Sequence, residues 1–375
     1  MRIAIDARKL HDYGIGTYVR NLVGALARQD DDTEYVLLCR AEDQAFVTGL
    51  GPRFSPCVER AGNYSVREQV SVPLMLGRIR PDLFHAPHYV VSPFTRTPFV
   101  VTIHDCIHLR FPEYLPNRLA HVYARRMMRS SAHRSRRVLT VSEASKQDIL
   151  RYLHVPASKV EVIYNGLDEA LMTEPPAEEV DRVRQRFLLT SPFILYAGNI
   201  KPHKNIDRLI EAFALLRRQG FEDVKLLVIG DSVSKYQNLR RLVHRFQLHR
   251  EVRFLGFVPE TTLAVLYRLA SVFVFPSLYE GFGLPPLEAM ALGAPVITSN
   301  VSSLPEVVDD AALLIDPRDP AAIAGALARV LSDPALRADL VRRGHERVKA
   351  FSWARAAARI RDVYHEVVTE ARVHA

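Results

Sequence analysis

The chain has 375 residues, 48% of them apolar and 25% charged, which exceeds what one hydrophobic core usually fills, so two domains are expected. No stretch approaches the roughly 20 uncharged apolar residues of a membrane span. The opening segment carries Arg2, Asp6, Arg8 and Lys9, so neither an anchor nor a signal peptide is expected and the reading is a cytoplasmic protein. The formal charge of +8 favours an anionic partner: nucleic acid, a lipid surface or a phosphorylated substrate.

Residues 3–7 form a β-branched run, followed by Gly14-Ile15-Gly16 and a helix-period segment over 17–27. Missing side chains at Gly14 and Gly16 let amides approach an anion at the helix N-terminus, although a plain tight turn explains the pair equally well. Residues 99–103 read as a buried strand ending at His104-Asp105. Residues 138–141 read as another, with Ser142 or Ser145 capping the next helix. Between them, Arg118, Arg125, Arg126, Arg129, Arg134, Arg136 and Arg137 occupy a segment without Asp or Glu. It reads either as a solvated helix face or as a contact for anionic lipid headgroups. The three scattered cysteines, Cys39, Cys57 and Cys106, suggest neither a disulfide framework nor a zinc site. After a strand at 160–163 come Asn165-Gly166 and a Pro- and Glu-rich run, 174–179, read as a linker. A second series has strands at 193–197, 225–229, 252–255, 272–275 and 295–298, each followed by a helical pattern. In the helix after the first of these, Ile206, Leu209, Ile210, Phe213 and Leu216 mark the buried stripe and Asn205 the expected cap. Two doubly wound α/β domains are expected from this, and a last helix at about 353–371 is long enough to return to the first.

Ligands of open parallel sheets lie beyond the carboxyl ends of the strands, so the segments just after each strand are the informative ones. The run 199–205 puts Lys204 where a helix dipole also favours negative charge, which suits a diphosphate, though lysines before helices are often simply solvated. The run 280–288 reads Glu-Gly-Phe-Gly-Leu-Pro-Pro-Leu-Glu. Pro285 and Pro286 suit a first helical turn, so the glycine loop leaves amides beside the helix's positive end. A carboxylate next to phosphate is repelled, whereas one that reaches hydroxyls accepts strong hydrogen bonds. A sugar at one end and a ribose at the other satisfy both.

This segment resembles the signature of glycosyltransferase family 4, two glutamates separated by seven residues around a Gly-Phe-Gly loop. The likeness continues through 295–298, Pro305-Glu306-Val307, Gly256-Phe257-Val258 and Val141-Ser142-Glu143, and covers essentially the whole chain. It implies a GT-B fold with two Rossmann-like domains facing a central cleft. Residues 1–172 would be the acceptor-side domain, completed by a helix at 354–375, and 173–353 the nucleotide-sugar-binding domain. The resemblance also implies that Glu280 holds donor-sugar hydroxyls and Glu288 the ribose. Gly281, Phe282, Gly283 and Leu284 would meet the donor through the loop amides, and the 256–259 loop with Val258 would border the base. Gly14 and Asn199 would complete the donor site, with Gly16 and Lys204 at the diphosphate. An isolated histidine is usually structural; the resemblance instead makes His104 a donor-sugar contact near the acceptor. Many members carry an arginine where this chain has His203 or Asn199, which places more of the phosphate on Lys204, with Lys201 as a substitute.

The implied reaction is retaining hexosyl transfer from GDP-mannose or a UDP-hexose to a glycan or lipid-linked acceptor, with His104, Glu280 and Lys204 as catalytic residues. No Asp-x-Asp motif follows a strand, so no metal and no separate cofactor are expected. The resemblance leaves an anionic membrane surface open as a partner of the 118–137 segment, beside the solvated helix face. Nucleic acid is not expected, since no recognition pattern accompanies the charge. Three other readings stay open: a sugar-nucleotide epimerase or hydrolase of the same fold, a non-catalytic nucleotide-sugar-binding protein, and a dinucleotide oxidoreductase. The last has a poor fingerprint, with Val19 at the third glycine position.

Overall fold

The computed structural model describes residues 1–29, 31–62, 64–168, 174–230 and 236–373. The chain divides into two compact units, residues 1–166 with 352–375 and residues 167–351. The boundary expected at 172/173 falls outside the described residues.

In unit 1 seven parallel strands are β1 (Arg2–Asp6), β2 (Glu34–Cys39), β3 (Phe54–Val58), β4 (Leu83–Ala86), β5 (Phe99–Thr102), β6 (Arg137–Thr140) and β7 (Val160–Val162). Their spatial order is β3-β2-β1-β4-β5-β6-β7. Unit 2 repeats the plan with β8 (Phe193–Ala197), β9 (Lys225–Ile229), β10 (Val252–Gly256), β11 (Val272–Phe275), β12 (Val296–Ser299) and β13 (Ala312–Ile315), in the order β10-β9-β8-β11-β12-β13. Every pairing is parallel, which requires crossover connections and covers both sheet faces. The central strands are therefore unbroken apolar runs: Phe-Ile-Leu-Tyr-Ala in β8 and Val-Phe-Val-Phe in β11 are wholly buried. This is the Rossmann strand order, and it reverses between β1 and β4 and between β8 and β11. At each reversal the crossovers leave toward opposite faces and open a crevice at the carboxyl edge.

The final helix, Trp353–Val373, belongs to unit 1. Its buried stripe, from Trp353 through Ile360 and Tyr364 to Val368, packs along the helix Ile15–Ala27. Tyr364 is tied by its hydroxyl to His85 Nδ1 at 2.6 Å, and His85 Nε2 reaches Thr102 Oγ1 at 2.8 Å. The run at 174–179 is not simply a linker, because a helix, Ala177–Arg186, starts inside it. Glu178 and Glu179 lie in its first turn, where the helix dipole favours acidic side chains. The strands β3, β4 and β13 were not picked out in the sequence: β3 holds Pro56 and is only partly buried, and β4, Leu-Phe-His-Ala, has no β-branched residue.

Candidate active site

In unit 2 the loops leaving β8 and β11, the two strands at the reversal, are fastened together. Asn205 occupies the N-cap position of the helix Ile206–Arg218, but its side chain does not cap. It donates instead to the carbonyls of Pro276 (3.0 Å) and Pro317 (2.6 Å), and the Leu278 N–H bonds the His203 carbonyl at 2.7 Å. The turn Pro202–Lys204 is thereby held beside the loop after β11. Lys204 Nζ lies 2.6 Å from Glu280 Oε1, and only 11% and 14% of these two side chains are exposed. The same ammonium sits 5.0 Å from the Phe275 ring centroid. Half-buried Asn199, at the end of β8, has its side-chain oxygen shielded from solvent without a hydrogen-bond partner.

Glu288 lies on the next helix, Leu284–Ala291, which opens with Pro285 and Pro286 in its first turn. Burial pushes its carboxyl up to about 7; Glu260 and Asp168 push the same way, and the Tyr267 hydroxyl, 3.2 Å from Oε2, pulls against them. Gly283 precedes the helix at φ 134°, where a side chain is strained and a Cβ would meet Leu304 Cδ2 at 3.0 Å. Phe282 is buried and edge-on to Phe351 at 5.7 Å. Val258 is also buried, whereas its neighbour Phe257 stands 77% exposed after β10.

In unit 1 the glycine pair divides in two. Gly14 adopts φ 69° with open space where a side chain would be. Gly16 has a packing role instead: a Cβ there would lie 2.4 Å from the Leu10 carbonyl oxygen, and its N–H already donates to Asp12 at 2.8 Å. The expectation that the Gly16 amide is open to an anion does not describe this conformation. Lys9 draws the same loop in by bonding Asp12 (2.8 Å) and the Tyr64 hydroxyl (3.0 Å). Asp6 and Arg8, charges of the opening segment, are buried and paired at 2.6 Å, with Glu68 2.9 Å from Arg8 on its other side.

His104 follows β5. Its Nε2 donates to the Pro87 carbonyl at 2.9 Å and its ring meets Tyr18 edge-on at 4.8 Å. Burial pushes its pKa down to about 4, so the imidazole is neutral at ordinary pH. Its Nδ1 can accept a hydrogen bond from a hydroxyl.

The Arg-rich segment comprises the helix Arg118–Arg134 and the short turn into β6. Two of its arginines are structural: Arg134 donates to the carbonyls of Ser92 and Thr95, and Arg137 pairs with Glu370 at 2.5 Å. Arg118, Arg125, Arg126 and Arg129 are exposed, and so are Leu119, Val122 and Tyr123 between them. No helix among the described residues is long and apolar enough to cross a membrane, and none of their His, Cys, Asp and Glu side chains cluster as a metal site. Tyr267, Ser302 and Ser303, which touch the glutamates or their loop, carry no sequence signal that marks them.

Paired parallel sheets of Rossmann order, with a lysine and two glutamates on the carboxyl edge of the second, define a GT-B glycosyltransferase. Comparison with known proteins agrees. Residues 13–171 match the model for Glycosyltransferase Family 4 and residues 178–347 that for Glycosyl transferases group 1. The chain is 34% identical over 282 residues to O-antigen chain mannosyltransferase B of Escherichia coli, covering 75% of this chain and 74% of that one. It is 30% identical over 341 residues to the serotype-specific mannosyltransferase WbdA of Escherichia coli, covering 84% of this chain but 40% of that longer protein. Sucrose-phosphate synthase from Thermosynechococcus elongatus has the same fold, with a TM-score of 0.79 at 24% identity over 99% of this chain and 100% of that one. The chain belongs to glycosyltransferase family 4.

Proposed function

We propose that this glycosyltransferase is a retaining, metal-independent hexosyltransferase that uses a nucleotide-sugar donor, GDP-mannose first and a UDP-hexose second, and a glycan or lipid-linked acceptor. The pairing of Lys204 with Glu280 at 2.6 Å carries the reading. A cation suited to a diphosphate and a carboxylate suited to sugar hydroxyls stand side by side at the switch point of unit 2, and Glu288 lies on the adjoining helix. The mannosyltransferase names of the relatives support mannose.

Unit 2 is assigned to the donor, through Asn199, Lys204, Val258, the 281–284 loop, Glu280 and Glu288. Unit 1 is assigned to the acceptor, with His104 accepting a hydrogen bond from a sugar hydroxyl. When the bond from the anomeric carbon to phosphate oxygen breaks, negative charge grows on the departing diphosphate, and Lys204 and the loop amides stabilise it. The acceptor oxygen bonds the anomeric carbon on the same face, and its proton passes to the departing phosphate.

The reading is of a cytoplasmic protein, and a lipid-linked acceptor would bring it to the inner face of a membrane with Arg118, Arg125, Arg126 and Arg129 toward anionic headgroups. The test is a panel of radiolabelled sugar nucleotides, scored for hydrolysis without acceptor and for transfer to lipid extracts. The wild type should consume one donor. Glu280→Gln should lose about 100-fold in turnover, the scale of removing one group that stabilises a transition state, with donor affinity changed far less. Full turnover in Glu280→Gln would refute the assignment.

A further inference from the structure

The helix Glu68–Ile79 of unit 1 turns one face to the core, where Glu68, Val72 and Leu76 are buried and Glu68 is held by Arg8. On its outer side Val70 and Leu74, one turn apart, stand 52% and 60% exposed, and Val66 precedes them at the same spacing with 87% exposed. A contiguous apolar row left in water with charged flanks marks a contact surface.

Two other segments adjoin it. Phe94, also exposed, tips a turn that Ser92 fastens to this helix by donating to the Gln69 carbonyl at 2.6 Å. Arg134 fastens the same turn to the helix Arg118–Arg134 through the Ser92 and Thr95 carbonyls. The two helices share one core, with Val72 and Leu76 in the same cluster as Met128 and Ala132. Burial and the nearby Glu68 carboxylate push the Tyr123 hydroxyl up, so exposed Tyr123 of the second helix lies beside the start of the first.

The charge around this row has one sign. Residues 64–80 contain a single acid, the buried Glu68, and residues 90–97 and 118–137 contain none. Arg67, Arg78 and Arg96 are exposed around the apolar side chains. A second copy of the chain docked by two-fold symmetry would set the patch against itself and press arginine on arginine. Nucleic acid would use the arginines and leave the aliphatic row in water. An anionic lipid surface satisfies both, with headgroups on the cations and acyl chains on the row.

We propose that Val66, Val70, Leu74 and Phe94 enter an anionic bilayer, which makes the helix Glu68–Ile79 and the 92–95 turn a second membrane contact beside the helix Arg118–Arg134. The inference rests on the membrane reading of that arginine helix and adds to it an apolar part that salt does not screen.

The test is sedimentation of the full chain with phosphatidylserine–phosphatidylcholine vesicles at low salt and at about 1 M salt, where screening cuts the reach of charge to about 3 Å. The wild type should bind at low salt and keep part of its binding at high salt. The double variant Val70→Ser, Leu74→Ser, changed at exposed positions, should bind about tenfold more weakly at low salt, the least expected for two half-exposed aliphatic chains withdrawn from lipid, and should release at high salt. Leu74→Trp reads the contact directly: the native tryptophan, Trp353, is buried, and the new one should be quenched by brominated lipid. Wild-type binding in the serine variant, an unquenched tryptophan in a protein that sediments, or complete release of the wild type at high salt would overturn the inference and leave the arginine helix as the membrane contact. Self-association of the wild type that the serine variant loses, with vesicle binding unchanged, would assign the face to a second copy and overturn it as well. A wild type that ignores the vesicles at low salt would overturn the membrane reading and this inference together.

Discussion

Glu288 is the residue whose chemistry depends most visibly on its surroundings. In the ribose role proposed for it a carboxylate accepts most strongly when ionised, yet burial, Glu260 and Asp168 raise this one to about 7. The proton is bound below that pH and lost above it, and ligand hydroxyls favour the ionised form, so donor binding releases a proton. Affinity for the nucleoside diphosphate should accordingly improve as pH rises, by about tenfold between roughly pH 6 and pH 8. Calorimetry across that range checks it, and an affinity flat with pH would contradict the role. Tyr267→Phe removes the hydrogen bond that favours the carboxylate and should move the midpoint of the same curve upward. At this scale the sequence was legible in type but not in partner. Glu280, Glu288 and Lys204 stand out by their place after strands, but nothing local says that Lys204 will meet a carboxylate 76 positions away. Asn205 misled for the same reason: an asparagine before a helix reads as its cap, and only the folded loop shows its amide bonded to Pro276 and Pro317.

Among the elements, the strand, loop and helix around Gly16 show how periodicity finds a helix and misses what closes over it. The segment 17–27 was visible because Tyr18, Val19, Leu22, Val23 and Leu26 repeat at helical spacing. The contact of Gly16 with the Leu10 carbonyl was not, because a close backbone approach leaves no pattern except the glycine. Gly16→Ala should destabilise unit 1 by about 1–3 kcal/mol, as overpacking does at a rigid contact, measured by denaturant unfolding. An unchanged midpoint would mean the loop moves aside freely. The helix Arg118–Arg134 makes the matching point for charge. Composition showed a run of arginines, and only the fold separates Arg134 and Arg137, which bind the protein, from those left outside beside Leu119 and Tyr123. Reversing Arg125, Arg126 and Arg129 to glutamate should abolish sedimentation with phosphatidylserine vesicles, each lost cation being worth about 1 kcal/mol near such a surface. Equal sedimentation of wild type and variant would remove the membrane from the proposal.

For the whole molecule, two parallel sheets were legible because parallel strands buried on both faces must be continuous apolar runs, and runs such as those of β8, β9 and β11 are plain in the sequence. The order itself is not written in any one strand; the last helix was expected to return to unit 1, and what the sequence does not show is the partner Tyr364 finds there, His85, 279 positions earlier. Both units have a crevice at the reversal of strand order. In unit 1 Arg8, Asp6 and Glu68 are closed on one another with at most 3% of each side chain exposed, whereas Lys204 and Glu280 of unit 2 keep 11% and 14%. The most direct measurement is the binding of GDP and UDP to wild type and to Lys204→Met. If this crevice grips an activated sugar by its diphosphate, the variant should lose about 1.5–3 kcal/mol of affinity for the preferred diphosphate, the scale of a hydrogen bond to a charged group, and little for the corresponding nucleoside. Diphosphate binding as tight in Lys204→Met as in the wild type would contradict it.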